Sequence, residues 1–263
     1  MSTNDSIMPR RLRRALYVVL PLWLLLALLW LAPAQLLPAL LRAPLPQLQL
    51  SGVAGSFWHG RAASAQWRHS EQLFALGAIE WRLSPWSLLR LQPRLDVSAD
   101  YGEQFVAASA TLSPLGALSL QTLRAALPAA SLRALSPLPV DGVVTLQLSQ
   151  LSLRRGVVEA LSGELQWQRA AWQWQQRWLP LGDYRCELSS PAVDRLQCRL
   201  QGGSAARIDG VFEVELSARR SRLDSALQLS RELPQQLRDG AGLMLGAEVD
   251  RDGRLQIERD GSW

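Results

Sequence analysis

Lysine is absent: all 28 basic residues among the 263 are arginines. Acids and arginines alternate along the chain and nearly balance beyond residue 14, so the net charge of +5 is not gathered into a stripe. A nucleic-acid-binding domain concentrates its basic charge on one face, and the sequence points to no such partner. Histidine is scarce as well. His59 stands in FWHG at a strand end, and His69 in the polar hairpin WRHSEQ. Neither has a nucleophile and an orienting acid arranged around it. There is no His-Glu-x-x-His motif, no Walker loop, no dinucleotide fingerprint and no G-x-S-x-G elbow. Carboxylates such as Glu213 and Glu215 alternate with apolar residues, as on a solvated strand face, and no pair is singled out for sugar hydrolysis. The sequence therefore nominates no catalytic residue, no metal ligand and no cofactor. An envelope hydrolase would need polar groups clustered around His59 or His69.

What the chain does have is apolar: 48% of its residues are hydrophobic and 19% charged, too apolar for a disordered tail. Ala15 to Ala32 carry no charge. As a helix these residues would span about 27 Å, close to a bilayer's hydrocarbon thickness. Arg10, Arg11, Arg13 and Arg14 precede the run, and only Arg42 follows it before Arg61. The positive-inside rule then keeps the N-terminus in the cytoplasm. The expected organisation is a cytoplasmic tail at 1–14, a transmembrane helix at 15–34, a proline-bearing linker at 35–47 and a translocated domain at 48–263. A cleaved signal peptide is the rival reading, because Ala32-Pro33-Ala34 imitates a cleavage site. The apolar run is longer than a usual signal core, however, and proline is unfavourable beside the cut.

Beyond residue 47 the dominant hydrophobic period is two. Val144, Leu146 and Leu148 alternate with polar residues, as do Phe212, Val214 and Leu216. Leu223, Leu227 and Leu229 continue the pattern, and Leu255 and Ile257 finish it. Turn signals are expected at Asp141-Gly142, Arg155-Gly156, Ser162-Gly163, Asp209-Gly210 and Asp252-Gly253. The fold class is mainly β: an antiparallel, hairpin-rich sheet with one apolar face that is either covered or open as a curved groove. Two stretches break the period: 118–135 reads as partly helical, interrupted by Pro128, and 230–244 as a short helix with Ser230 as N-cap and Gly240 as stop. Tryptophan-bearing hairpins recur early and late, suggesting two similar units, 48–118 and 140–263, on one sheet.

Cys186 and Cys198 lie in DYRCELSSPAVDRLQCRL. A hairpin centred on Ala192 sets them opposite each other on the apolar side, with Ser189 to Asp194 as the turn. A disulfide is the expectation in an oxidising compartment, against two buried thiols or an incomplete metal pair. Eleven tryptophans accompany only four phenylalanines and three tyrosines. They either fill the core or form an aromatic surface for a partner or acyl chains. Trp58, Trp81, Trp86 and Trp167 are the candidate interaction or groove residues.

The order of several motifs resembles the type II secretion system protein N family. SGVAGSFWHGRA at 51–62 follows the linker, and IEWRLSPWSLL at 79–89 resembles the family's W-x-L-x-P-x-x-L-L segment. Gly163 to Trp167 with LGDY at 181–184, the cysteine pair and the glycine-bearing C-terminal hairpin match in turn. The resemblance implies an accessory, non-enzymatic inner-membrane component of the machine that moves folded proteins from the periplasm across the outer membrane. Its partners would be other inner-membrane subunits and the outer-membrane secretin. A more distant likeness to periplasmic β-groove proteins implies lipid contact or transfer as the alternative.

Overall fold

A computed structural model of the chain describes residues 20, 21, 23, 24, 27, 28, 30–43, 45–69, 72–102, 104–134, 139–231, 233–238, 240 and 254–262. Thirteen strands form one antiparallel sheet in strict chain order. They are β1 (Leu48–Gly55), β2 (His59–His69), β3 (Gln72–Leu83), β4 (Arg94–Tyr101), β5 (Gln104–Leu112), β6 (Ala117–Pro128) and β7 (Val140–Arg154). They continue as β8 (Val157–Trp174), β9 (Arg177–Ala192), β10 (Arg195–Gly202), β11 (Ala206–Glu215), β12 (Arg220–Leu229) and β13 (Arg254–Ser262). Among the described residues β1 and β13 are edges that do not meet, so the sheet is open. The helices are short: α1 (Leu36–Leu41), α2 (Pro85–Leu89) and a 3-10 turn at Ala129–Ala134.

Nine of the twenty residues at 15–34 lie outside the described residues. Among the described residues no helix is long and apolar enough to cross a membrane. Leu20, Trp23, Leu24, Leu28, Trp30 and Leu31 are all more than half exposed. The chain then reaches the sheet through backbone bonds, Phe57 N–H to Ala32 O at 2.8 Å and Ala34 N–H to Gly55 O at 3.2 Å.

Several sequence expectations are corrected. The stretch 118–135 is not helical in its first part; it is β6 as far as Pro128, followed by the 3-10 turn. The register against β5 steps between Ser109 and Ala110, leaving Gln121 over as a bulge. Leu120 and Leu123 thereby share a face although they are three residues apart, and a bulged strand imitates helical spacing. Asp141-Gly142, Ser162-Gly163 and Asp209-Gly210 are not turns but lie inside β7, β8 and β11. Glycine serves close packing at all three sites, and a Cβ on Gly142 would sit 2.6 Å from Gln168 O. A Cβ on Gly163 would sit 2.5 Å from Gln147 O, and one on Gly210 would press on Ser225. Arg155-Gly156 does form the β7–β8 turn, and Asp252-Gly253 lies outside the described residues. The helix expected from Ser230 starts later: residues 235–238 and 240 are helical, so Ser230 does not cap it, and residues 241–244 lie outside the described residues. The Ser230 N–H instead donates to Ala205 O at 2.8 Å.

The cysteines are joined, with Cα atoms 5.6 Å apart, but the hairpin register differs from that expected. Strand β9 runs on through Ser189 to Ala192, and the turn is Val193-Asp194. Cys186 faces Leu200 and Cys198 faces Leu188, so the disulfide crosses diagonally between neighbouring rungs. Closing this loop contributes about 3 kcal/mol in the chain-entropy account. Reducing the bond, or substituting Cys198→Ser, is expected to lower the unfolding free energy by about 2–4 kcal/mol. Urea titrations with and without reductant would measure the loss, and equal midpoints would show that the bridge contributes nothing.

Candidate functional site

The ladder carries side-chain alternation across the sheet with little interruption. One row of facing residues reads Val106, Ala125, Leu146, Leu165, Cys186 and Leu200. The next apolar row reads Ala108, Leu123, Leu148, Gly163, Leu188 and Cys198. The disulfide therefore ties the two rows together. The row between them points the other way and reads Ala107, Arg124, Gln147, Glu164, Glu187 and Arg199. One face is thus apolar and the other polar, because successive side chains leave a strand on opposite sides. Glu164 and Glu187 stand opposite each other on the polar face, a repulsive pairing. Arg185 on the same face relieves it with an ion pair to Glu164 at 2.5 Å.

Among the described residues the apolar face is packed over at both ends and more open between them. At the first end, Ala34 and α1 pack on it: Ala34, Ala62 and Trp81 are buried, with Leu37, Leu50 and Val53 against them. At the last end, Leu233 joins Ala205, Leu229 and Leu255. Leu255 is the one large side chain fully buried among the described residues. Between these caps Leu148 and Cys186 are buried, while Val106, Leu123, Leu146, Leu165 and Leu200 are half-buried. The 3-10 turn packs against β6 and β7. From β5 to β11 the uncovered face extends about 30 Å at ordinary strand spacing.

On this face lies an apolar cavity of about 280 Å³ lined by residues that include Leu165, Trp167, Leu181, Tyr184, Leu200 and Ile208. Trp167 stacks on Tyr184 with ring centroids 5.8 Å apart. Both polar tips are satisfied by the backbone. The indole N–H of Trp167 donates to Asp141 O at 3.0 Å, and the Tyr184 hydroxyl donates to Ala206 O at 2.8 Å. The cavity thus presents aromatic faces and aliphatic tips rather than free hydrogen-bonding groups. Burial pushes the Tyr184 hydroxyl up to about 12.

The four tryptophans named from sequence do not form one site. Trp81 is buried beneath the first cap, its indole N–H donating to Phe57 O at 3.1 Å. Trp58 is buried beside Phe57 and Trp30, with ring centroids 5.5 and 6.4 Å away. Trp167 lines the cavity on β8, and Trp86 stands on α2, 71% exposed. Sequence reasoning missed Leu165, Leu181, Leu200 and Ile208. Each shows only as one member of an alternating strand, and nothing local says which strands lie side by side. His59 is exposed at one end of β2, and His69 lies at the other end, about 33 Å along the strand. The two cannot act as a pair. Among the described residues no group of three His, Cys, Asp or Glu side chains gathers to hold a metal.

These features place the chain among open antiparallel sheets with one half-exposed apolar face. Its sequence matches the family described as Type II secretion system (T2SS), protein N, over residues 46–258. It is 31% identical over 256 residues to Type II secretion system protein N of Aeromonas hydrophila, covering 94% of this chain and 96% of that one. The protein of that name from Vibrio cholerae serotype O1 is 26% identical over 247 residues, covering 87% and 90%. No solved structure matches the chain significantly. The chain belongs to the type II secretion system protein N family.

Tyr184 offers a check on the cavity. A spectrophotometric titration is expected to show one of the three tyrosines ionising near pH 12. In the unfolded chain the same phenol ionises near pH 10. Its contribution to stability is therefore complete below about pH 10 and is lost as pH rises through 12. Tyr184→Phe should remove that part of the alkaline loss, and an unchanged profile would place the ring outside the cavity.

Proposed function

We propose that the chain is an accessory inner-membrane subunit of type II secretion that works by protein–protein contact and not by catalysis. In this reading residues 15–34 anchor it, residues 1–14 stay in the cytoplasm, and residues 48–263 stand in the periplasm. Its partners are other inner-membrane subunits of the machine and the outer-membrane secretin. Family membership supports the assignment to secretion. The observation that carries the contact mechanism is the open sheet, whose edge strands leave backbone N–H and C=O groups available to another chain. On β13, Leu255 and Ile257 are buried inward while Arg254, Glu258, Arg259 and Asp260 are exposed. Exposed charges on an edge discourage indiscriminate pairing and favour a matched partner.

A photocrosslinking residue at Gln256, on this edge, should capture a type II secretion subunit in cells. The same residue at Gln147, in the centre of the polar face, should capture none. Recovery of no secretion component from position 256 would overturn the edge-contact reading.

The uncovered apolar face supports a second reading, in which the trough holds lipid acyl chains. Native mass spectrometry of the detergent-extracted full chain should then show phospholipid adducts. Leu165→Glu with Leu200→Glu should abolish them without shifting the far-ultraviolet circular dichroism. Adducts that survive both substitutions would remove this reading.

A further inference from the structure

The turns at one rim of the sheet carry apolar tips that no packing accounts for. This rim holds the ends of odd-numbered strands and the starts of even-numbered ones. Beside the N-terminal segment, Trp86 on α2 is 71% exposed, Leu91 after α2 is 68% and Leu115 in the β5–β6 turn is 76%. Single exposed leucines are ordinary on protein surfaces. Leu91 and Leu115 occupy positions where local chemistry favours other residues. Leu91 has φ +55°, a left-handed conformation that favours glycine or asparagine. Leu115 occupies a turn, where polar residues and glycine prevail. The opposite rim differs. Tyr101, Phe105 and Trp178 are exposed there near strand ends, but its turns are built from Gln175-Gln176 and Gly203-Ser204.

The apolar tips are held in a fixed relation to the N-terminal segment. Phe57 N–H bonds to Ala32 O, and Leu83 N–H bonds to Trp58 O at 2.7 Å. Ser84 N–H then bonds to Arg94 O, and Leu112 N–H to Pro93 O, both at 3.0 Å. Backbone bonds thus run from Ala32, at the end of the exposed apolar N-terminal segment, to the base of the β5–β6 turn. Arg90, also exposed, lies next to Leu91.

We infer that Trp86, Leu91 and Leu115 form a membrane-resting rim that enters the bilayer interface beside the anchor, with Arg90 on lipid phosphate. Tryptophan is favoured at that depth, aliphatic tips gain by leaving water, and arginine meets anionic headgroups. The apolar N-terminal segment and the apolar tips share one rim, so a membrane that accepts the first meets the second. Strand twist turns the later turns of this rim away from the same plane, which limits the contact to the turns nearest the anchor. The inference rests on the anchor proposed above. Its consequence is a set tilt of the sheet on the membrane, as opposed to free swinging on a linker.

The described cysteines are paired, which leaves an introduced thiol open to selective labelling. Full-length chains bearing Leu115→Cys or, as control, Gln176→Cys would carry an environment-sensitive nitrobenzoxadiazole label. They would be reconstituted into vesicles of phosphatidylethanolamine and phosphatidylglycerol. The label at position 115 should emit at shorter wavelength and be quenched by spin-labelled lipid, while that at 176 remains water-like. Arg90→Glu should weaken the quenching at 115. Vesicles that float with the protein while position 115 stays as wet as 176 would overturn the rim and leave the anchor standing. Protein that fails to float with the vesicles would overturn both. Shielding at 115 that appears only when other secretion subunits are added would assign the rim to a protein partner and refute lipid contact.

Discussion

The register of one long antiparallel ladder governs this protein. Each strand pairs with the strand next in sequence, so a period of two within strands becomes a two-faced surface across thirteen of them. A slip of one residue at any pairing would turn leucines into solvent and arginines onto the apolar side for every strand beyond it. The irregularities that do occur, as at Ser109/Ala110, Leu148/Gln150 and Ala170/Ala171, leave an extra residue over and preserve the faces. The diagonal disulfide ties two adjacent apolar rows at Cys186 and Cys198.

Such a sheet lacks the second layer that normally closes a core. Among the described residues two small buried clusters form, one under Ala34 and α1 and one under Leu233, with single buried residues such as Ala129, Ala170 and Cys186 between them. Most of the apolar face between them is half-buried, with side chains leaning on neighbours in the same row. Stability then comes from long strand pairings, as in β8 with its 18 residues, and from cross-strand contacts. The same economy leaves the edges and the trough available to something else. An accessory subunit of a large assembly has use for both, because a surface completed by a partner or by lipid need not be closed by the chain itself.

Much of the local structure was legible from alternation alone. The strands around Leu146, Phe212, Leu223 and Leu255 are where the period of two places them, and the shared face of Cys186 and Cys198 follows from their spacing. Glycine and leucine spacing misled in opposite ways. Gly142, Gly163 and Gly210 look like turn residues in sequence but lie inside strands, each where a neighbouring strand presses too close for a side chain. Leu118 to Leu127 looks helical because a bulge changes the spacing within a strand. Both errors have one cause, since close approach and bulges are properties of a pair of strands and leave no mark on one strand read alone.

By itself the sequence determined the strand-rich class, the charge-free N-terminal run, the oxidised cysteine pair and the family, because composition, spacing and motif order are local or colinear quantities. Tertiary structure alone decided that the sheet stays open, that Trp81 is buried while Trp86 is bare, and that Leu165, Tyr184 and Ile208 share one cavity. Those outcomes depend on which strands become neighbours and how far the caps at Ala34 and Leu233 reach across the face. Such distances are set through space, between residues that alternation can orient but cannot bring together.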